Sequence, residues 1–376
     1  MGVDTLATDP VNPDNLYVLG GSYTQSWAGN VALFRSGDRG VTFSRVDLPF
    51  KAGGNEDGRS MGERLQVDPH DNRILYLGTR NDGLWRSEDA GLTWARLGSF
   101  PVTGDAGLGV SFVEVDAATG VVGAPSPVVY AGVADKAGSI YRSTDAGATW
   151  ARVPGQPTGW YAHHGRLGAD GLLYVTYGDR ASDMHDGGVW AFNPGTGTWR
   201  DIAPLRPNTG VEGGFGYAGL AVDAQHPGTV MVATLDRWTP GDDIFRSTDG
   251  GTTWRSITDR RGDVWIAAGQ GGQWRSTDGG LRYTQVTSGV SAADAVAFGK
   301  AAPGARSMAV YLNGVVDGQR GVFRSDDAAA TWVRVNDDKH QWGWTGSCLG
   351  ADPRVYGRVF VCTNGRGIQV GELAPR

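Results

Sequence analysis

The chain has 376 residues and a net charge of −6 with the signs interspersed, so it carries no basic block of the kind a nucleic-acid partner requires. No run of about 18 apolar residues is present to span a membrane as a helix. Sixty Gly, about twice the usual share, and 14 Trp suit many tight turns and ring packing between sheets, and the length suits one propeller.

The chain as given opens on a strand-like run, Val3–Thr8, without the charged and apolar regions of a signal peptide. Leu6–Pro10 and Leu16–Leu19 form a first pair of strands, and Leu65–Pro69 and Ile74–Leu77 a second. Phe112–Asp116 with Val128–Val133, then Leu172–Tyr177, then Leu220–Asp223 with Val230–Thr234, repeat the scheme. Alternating apolar residues and β-branched or aromatic content predict strands throughout, and no long helix.

After each pair comes a variant of one octet, Ser-x-Asp-x-Gly-x-Thr-Trp. Six copies run Ser36–Phe43, Ser87–Trp94, Ser143–Trp150, Ser247–Trp254, Ser276–Tyr283 and Ser325–Trp332, and a degenerate seventh ends at Trp199. Five of the six gaps between closing aromatics are 49 to 56 residues; the other is 29. A β-rich unit at such a period predicts an all-β propeller of four-stranded blades, seven by preference and eight as the alternative. Each octet follows an aromatic-Arg pair, such as Trp85-Arg86, and precedes a strand, so it sits on a hairpin turn. There Ser and Asp side chains bond turn backbone, and Gly supplies positive φ. Asp38, Asp89, Asp145, Asp249, Asp278 and Asp327 are therefore read as structural. The short gap leaves one run, Asp263–Ala268, before its octet, and Ser347–Leu373 supplies three strands with no octet after them. Cys348 and Cys362 lie in strand-like runs flanking an Asp-Pro turn. A disulfide and two buried thiols both fit that placement.

The octet resembles the Asp-box of sialidases, sortilin-type receptors and several glycosidases. Longer segments are more specific. GVDTLATDPVNPDNLYVLGGSYTQSW, LPFKAGGNEDGRSMGERLQVDPHDNRILYLGTRNDGLWRS, YAGVADKAGSIYRSTDAGATWARVPGQPTGWYAHH, GYAGLAVDAQHPGTVMVATLDRW and DPRVYGRVFVCTNGRGIQVG resemble glycoside hydrolase family 74, the xyloglucanases. The resemblance implies two propellers facing each other across a cleft for a branched β-1,4-glucan, with one catalytic Asp from each and inversion at the sugar. Inversion needs a carboxylic acid for the leaving oxygen and a separate carboxylate for water. Within the single propeller expected over 1–376, residues 1–256 resemble the family's first propeller and 262–376 the closing blades of its second. The segment carrying the first catalytic Asp lies upstream of where the match begins. The turn carrying the second is not found; its nearest look-alike, Gly269–Trp274, has Gln270 at the acid position, and an amide is neither acid nor base. The catalytic residues are therefore unassigned.

Loops at Gly21–Asn30, Phe50–Ser60, Thr103–Gly109, Asp179–Gly188, Pro204–Gly216 and Asp236–Asp242 are the expected binding rim. Pyranose rings present apolar C–H faces that stack on aromatic rings. Trp27, Trp160, Tyr161, Tyr177, Phe215, Tyr217 and Trp238 are the candidates for such stacking, with blade packing as the competing role. Asn55, His163 and His164 are candidate sugar contacts. Arg64 is another, or else pairs with Glu63 beneath the cleft. No further ligand stands at metal-binding spacing from the two histidines, so no metal or cofactor is expected. Asp179, Asp183 and Asp186 read as surface charges before catalytic ones. The expected partner is a polysaccharide, xyloglucan or a related β-glucan, met by a monomer, with an extracellular location implied by the family. Two other functions remain open: a non-catalytic glycan-binding propeller and a protein-interaction propeller. A sialidase is disfavoured, because the Arg-Ile-Pro-type motif is absent.

Overall fold

A computed structural model describes residues 2–373 apart from 103, 106, 182–185, 206–218, 235–243, 257–262, 278–281, 306, 342–347 and 364–366. Its described residues form thirty strands and no helix. They divide into two compact units, Gly2–Ile257 and Thr258–Arg376.

The first unit holds five sheets, each an antiparallel meander of four strands. The first sheet is β1 (Val3–Thr8), β2 (Leu16–Gly20), β3 (Ala32–Ser36) and β4 (Ser44–Asp47), and the second β5 (Leu65–Val67), β6 (Leu75–Gly78), β7 (Leu84–Ser87) and β8 (Ala95–Arg96). The third is β9 (Val110–Val115), β10 (Val129–Val133), β11 (Ile140–Ser143) and β12 (Ala151–Arg152), and the fourth β13 (Tyr161–Leu167), β14 (Leu173–Gly178), β15 (Gly187–Asn193) and β16 (Thr198–Asp201). The fifth is β17 (Leu220–Val222), β18 (Val230–Ala233), β19 (Ile244–Ser247) and β20 (Arg255–Ser256).

The second unit holds a three-stranded sheet, β21 (Val264–Ala267), β22 (Gln273–Ser276) and β23 (Thr284–Gln285). A four-stranded sheet follows, β24 (Val290–Gly299), β25 (Ala309–Val316), β26 (Gln319–Ser325) and β27 (Val333–Arg334). The last is three-stranded, β28 (Leu349–Ala351), β29 (Val359–Thr363) and β30 (Gly367–Gly371). Cys348 and Cys362 are joined by a disulfide at this hairpin, with Cα atoms 5.3 Å apart. The fold is a β-propeller. Its described blades number eight, the alternative count rather than the preferred seven.

Position within a blade explains the sequence pattern. Second strands such as β6 and β14 are buried along their whole length, so they read as unbroken apolar runs. Fourth strands such as β8 and β12 are two residues long and exposed, so they carry almost no sequence signal. Successive blades pack through their first strands, β1 on β5, β5 on β9, β9 on β13 and β13 on β17. The closing tryptophans of the octets, Trp94, Trp150, Trp199 and Trp254, each pack half-buried against a core shared by neighbouring blades.

The octet works as a self-contained staple. In the first, the Ser36 hydroxyl donates to Asp38 Oδ1 at 2.7 Å and accepts the Gly40 amide at 2.8 Å. Asp38 in turn accepts the Thr42 amide at 2.8 Å and the Thr42 hydroxyl at 2.6 Å. Asp89, Asp145, Asp249 and Asp327 repeat the arrangement, whereas Asp278 lies outside the described residues. The turns also join blades: the Ala146 carbonyl accepts the Tyr76 hydroxyl at 3.1 Å and Arg86 Nη1 at 3.2 Å, both from the preceding blade. Several Arg residues of the aromatic-Arg pairs lie over a ring. Arg86 and Arg142 sit directly across the sheet from Tyr76 and Tyr130 and lie 5.7 and 5.6 Å from the ring centres.

Candidate functional site

Each blade of the first unit has two chemically different ends. Octets lie beside the turns between first and second strands: the Arg39 amide donates to Asp14, Ala90 to Arg73, Ala146 to Pro127 and Gly250 to Gly228. The opposite end carries the second-to-third-strand loops and the connections between blades. Four of the expected rim loops, 21–30, 50–60, 103–109 and 179–188, are there. Most of 204–216 and 236–242, with Phe215, Tyr217, Trp238 and Asp183, lies outside the described residues.

Among the described residues the most exposed aromatic at this end is Trp27, at 71%. Tyr23 tilts against its indole with ring centres 5.1 Å apart. The loop beneath is tied to its neighbour almost atom by atom. Gly54 and Asn55 donate backbone amides to the carbonyls of Gly21 and Ser22 at 3.1 and 3.0 Å. The Asn55 side-chain amide donates to the Tyr23 hydroxyl. The Glu56 carboxylate accepts the Thr24 amide at 3.0 Å and the Thr24 hydroxyl at 2.9 Å. Burial pushes the Glu56 carboxyl up, but these bonds and the charge of Arg80 together leave it below its ordinary range.

Two buried guanidinium groups shape the next stretch. Arg64 donates to the carbonyls of Val110 at 2.8 Å, Met61 at 3.1 Å and Gly58 at 3.1 Å. Arg80 donates to Gly53 at 2.8 Å and to Asp57. Burial, then repulsion from Arg64, pulls the Arg80 guanidinium down to about 10. Together the two side chains collect carbonyls from Gly53 to Met61 and give this loop one shape.

Further round the rim, the Trp160 indole donates to Asp186 Oδ2 at 3.2 Å. Tyr161 lies beneath the Lys136 ammonium, 4.9 Å from its ring centre. Burial first, and the charges of Asp105 and Asp135 after it, push the Tyr161 phenol up. Trp160 and Tyr161 are both half-buried. Asp179 and Asp186 bond one another's backbone, since the Asp186 amide donates to Asp179 Oδ1 at 3.2 Å and the Asp179 amide to the Asp186 carbonyl at 3.0 Å. Gln270 is exposed on the turn between β21 and β22.

Four candidate sugar contacts are corrected by their burial. Arg64, His163 and Tyr177 are fully enclosed, and His164 is 6% exposed. Arg64 spends its donors on backbone, and His163 Nε2 lies 2.8 Å from the Arg180 carbonyl. Burial holds the Tyr177 phenol far above its ordinary range. Nor does Arg64 pair with Glu63. The partner of Glu63 is Arg166, at 2.8 Å, with His164 at 3.8 Å. Arg166 also reaches Glu114, at 3.4 Å, so one guanidinium on β13 joins carboxylates from β9 and from the turn before β5. Burial raises Glu114 to about 7 against the pull of Arg166, while the contact with His164 and the charge of Arg166 outweigh the burial of Glu63 and hold it low. Sequence reading singled out Glu63 and His164 but not their grouping with Arg166 and Glu114, because the members are scattered over three blades.

Blades pinned by Ser-Asp turns at one end and carrying aromatic loops at the other define an Asp-box propeller protein. No protein-family model matches the chain. It is 30% identical to xyloglucanase Xgh74A of Acetivibrio thermocellus over 661 aligned positions that take in 99% of this chain and 78% of that one. It is 54% identical to a xyloglucanase of a Paenibacillus species over 271 positions, 68% of this chain. The chain spans only 26% of that Paenibacillus relative, about a quarter of its length. The crystal structure of a GH74 xyloglucanase from Xanthomonas campestris matches with a TM-score of 0.66 and 27% identity, over 100% of this chain and 91% of that one. The chain belongs to glycoside hydrolase family 74.

Proposed function

We propose that this chain acts on xyloglucan or a related β-1,4-glucan, held along the aromatic end of the Gly2–Ile257 blades. The observation that carries the reading is Trp27, an indole 71% exposed at the tip of a loop fixed from beneath, in a chain of xyloglucanase ancestry. An exposed ring on rigid backbone suits a pyranose face, since stacking then costs little ordering of the protein. Trp160 and Tyr161, at the connection between the third and fourth blades, add aromatic rings further round this end. Asn55 adds a polar group beside Tyr23.

In this reading residues 1–256 correspond to most of the family's first propeller and 262–376 to the closing blades of its second. An alignment of 661 positions for a chain of 376 residues supports it, because a long internal stretch of the relative then has no counterpart here. The Cys348–Cys362 disulfide supports an extracellular location. The working unit is a monomer.

Hydrolysis with inversion would need two carboxyl groups placed on either side of the scissile bond. A second reading, a glycan-binding propeller without turnover, is favoured by Gln270, an amide on the turn that most resembles the family's acid-bearing one. Two assays separate the readings: release of reducing ends from tamarind xyloglucan, and retardation in a native gel cast with the same polymer. Turnover supports the hydrolase, and retardation alone supports the glycan-binding protein. Neither signal would defeat both and leave a protein partner.

A further inference from the structure

Lys51 presents an arrangement that the reading above does not use. It lies between the buried residues Phe50 and Ala52, just beyond β4. Its ammonium donates to the carbonyl oxygens of Gln25 at 2.8 Å, Ser26 at 3.2 Å and Ala28. An ammonium has three N–H groups and no acceptor. All three are therefore committed to one four-residue turn, which the Ala28 amide closes on the Gln25 carbonyl at 3.0 Å. Trp27 is the remaining residue of that turn, and its side chain stands out in solvent.

An exposed indole has little packing to fix its backbone. Besides the Ala28–Gln25 bond and the Tyr23 ring, two side chains hold it: Glu56 on Thr24 ahead of the turn, and Lys51 on the turn itself. Removing the ammonium would leave three carbonyl dipoles converging on one point. They would repel one another and turn outward to water, and the turn would open with them. We infer that Lys51 is a positioning residue, one that holds the Trp27 indole in its glucan-stacking orientation without touching the sugar. This role rests on the proposed glucan-binding reading.

The test uses the full chain and tamarind xyloglucan oligosaccharides, with affinity measured by isothermal titration. Trp27→Ala should weaken binding about tenfold, as loss of one stacked ring does. Lys51→Met should weaken it by about five- to tenfold at a near-wild-type melting temperature, and the double variant should be no weaker than Trp27→Ala alone. Emission from Trp27, isolated as the difference between wild type and Trp27→Phe, should become more accessible to acrylamide in the Lys51→Met background. If Trp27→Ala weakens binding but Lys51→Met does not, or if the two losses simply add, the positioning role is overturned and the aromatic shelf survives. If Trp27→Ala has no effect, the shelf itself fails and the role of Lys51 fails with it.

Discussion

Gly40 and Gly251 occupy the same place in two Asp-boxes and hold nearly the same left-handed backbone, with φ of 84° and 81°. Their surroundings differ. A methyl on Gly40 would meet nothing nearer than Leu16 at 3.5 Å, whereas one on Gly251 would lie 2.7 Å from Ile202 Cδ1 and 2.8 Å from its Cβ. Backbone strain alone costs about 1–2 kcal/mol for a non-glycine residue there. Overpacking against a buried β-branched side chain adds roughly 1–3 kcal/mol. Gly40→Ala should therefore cost about 1 kcal/mol in denaturant unfolding, and Gly251→Ala about 3 kcal/mol. Ala329 already shows that the strain alone is tolerable, since it takes the glycine place in its own box at φ 68°. Equal losses for the two variants would mean that the turn conformation, not the space around it, sets the glycine requirement.

At the scale of elements, what was legible in the sequence followed the range of the forces involved. The octets were readable because their bonds close within a few residues, from Ser36 to Thr42 for example. The single run before the short-gap octet and the three strands after Ser347 likewise emerged as β21 and as β28, β29 and β30. The facing of side chains was less legible. Alternation would turn one of the adjacent pair His163 and His164 outward, but the register of β13 against β14 shifts between Ala162 and His164, and both are buried. Tyr177 misled for another reason: β14 is enclosed on both faces, so alternation says nothing about it. Nor could spacing reveal that Arg64 answers carbonyls as distant as that of Val110. The three-stranded sheet at β28–β30 carries the disulfide, whose cysteines are 14 residues apart. Closing a loop of that size in the unfolded chain is worth roughly 3 kcal/mol. The double variant Cys348→Ser/Cys362→Ser should lose about that much, seen as earlier unfolding in a reductant-free denaturant series. A loss no larger than that of a surface substitution would show that the sheet draws nothing from the crosslink.

Over the whole molecule, two sets of carboxyl groups bracket the pH of greatest stability. Bonds from Thr42, first from its hydroxyl and then from its amide, hold Asp38 down from 3.8 to about 2, and Thr253 does the same for Asp249. Groups depressed in the fold stabilise it above their unfolded values, and that stabilisation is lost as the pH falls through 4 towards 2. Glu114 has the opposite sign. Burial raises it from 4.5 to about 7, so the fold favours its protonated form and loses stability as the pH climbs between those values. The groups facing Glu114 are Arg166 and, through it, Glu63 and His164. Unfolding free energy should therefore peak near pH 4 to 5 in these two contributions, falling on the acid side and again towards neutrality. Glu114→Gln keeps an oxygen for the Leu167 amide but removes the titration. It should lift the neutral limb by on the order of 2 kcal/mol relative to pH 4.5 and leave the acid limb, set by the Asp-boxes, where it was. Parallel profiles for wild type and Glu114→Gln between pH 4.5 and 7 would show that Glu114 ionises without cost in the fold, and that Arg166 compensates its burial in full.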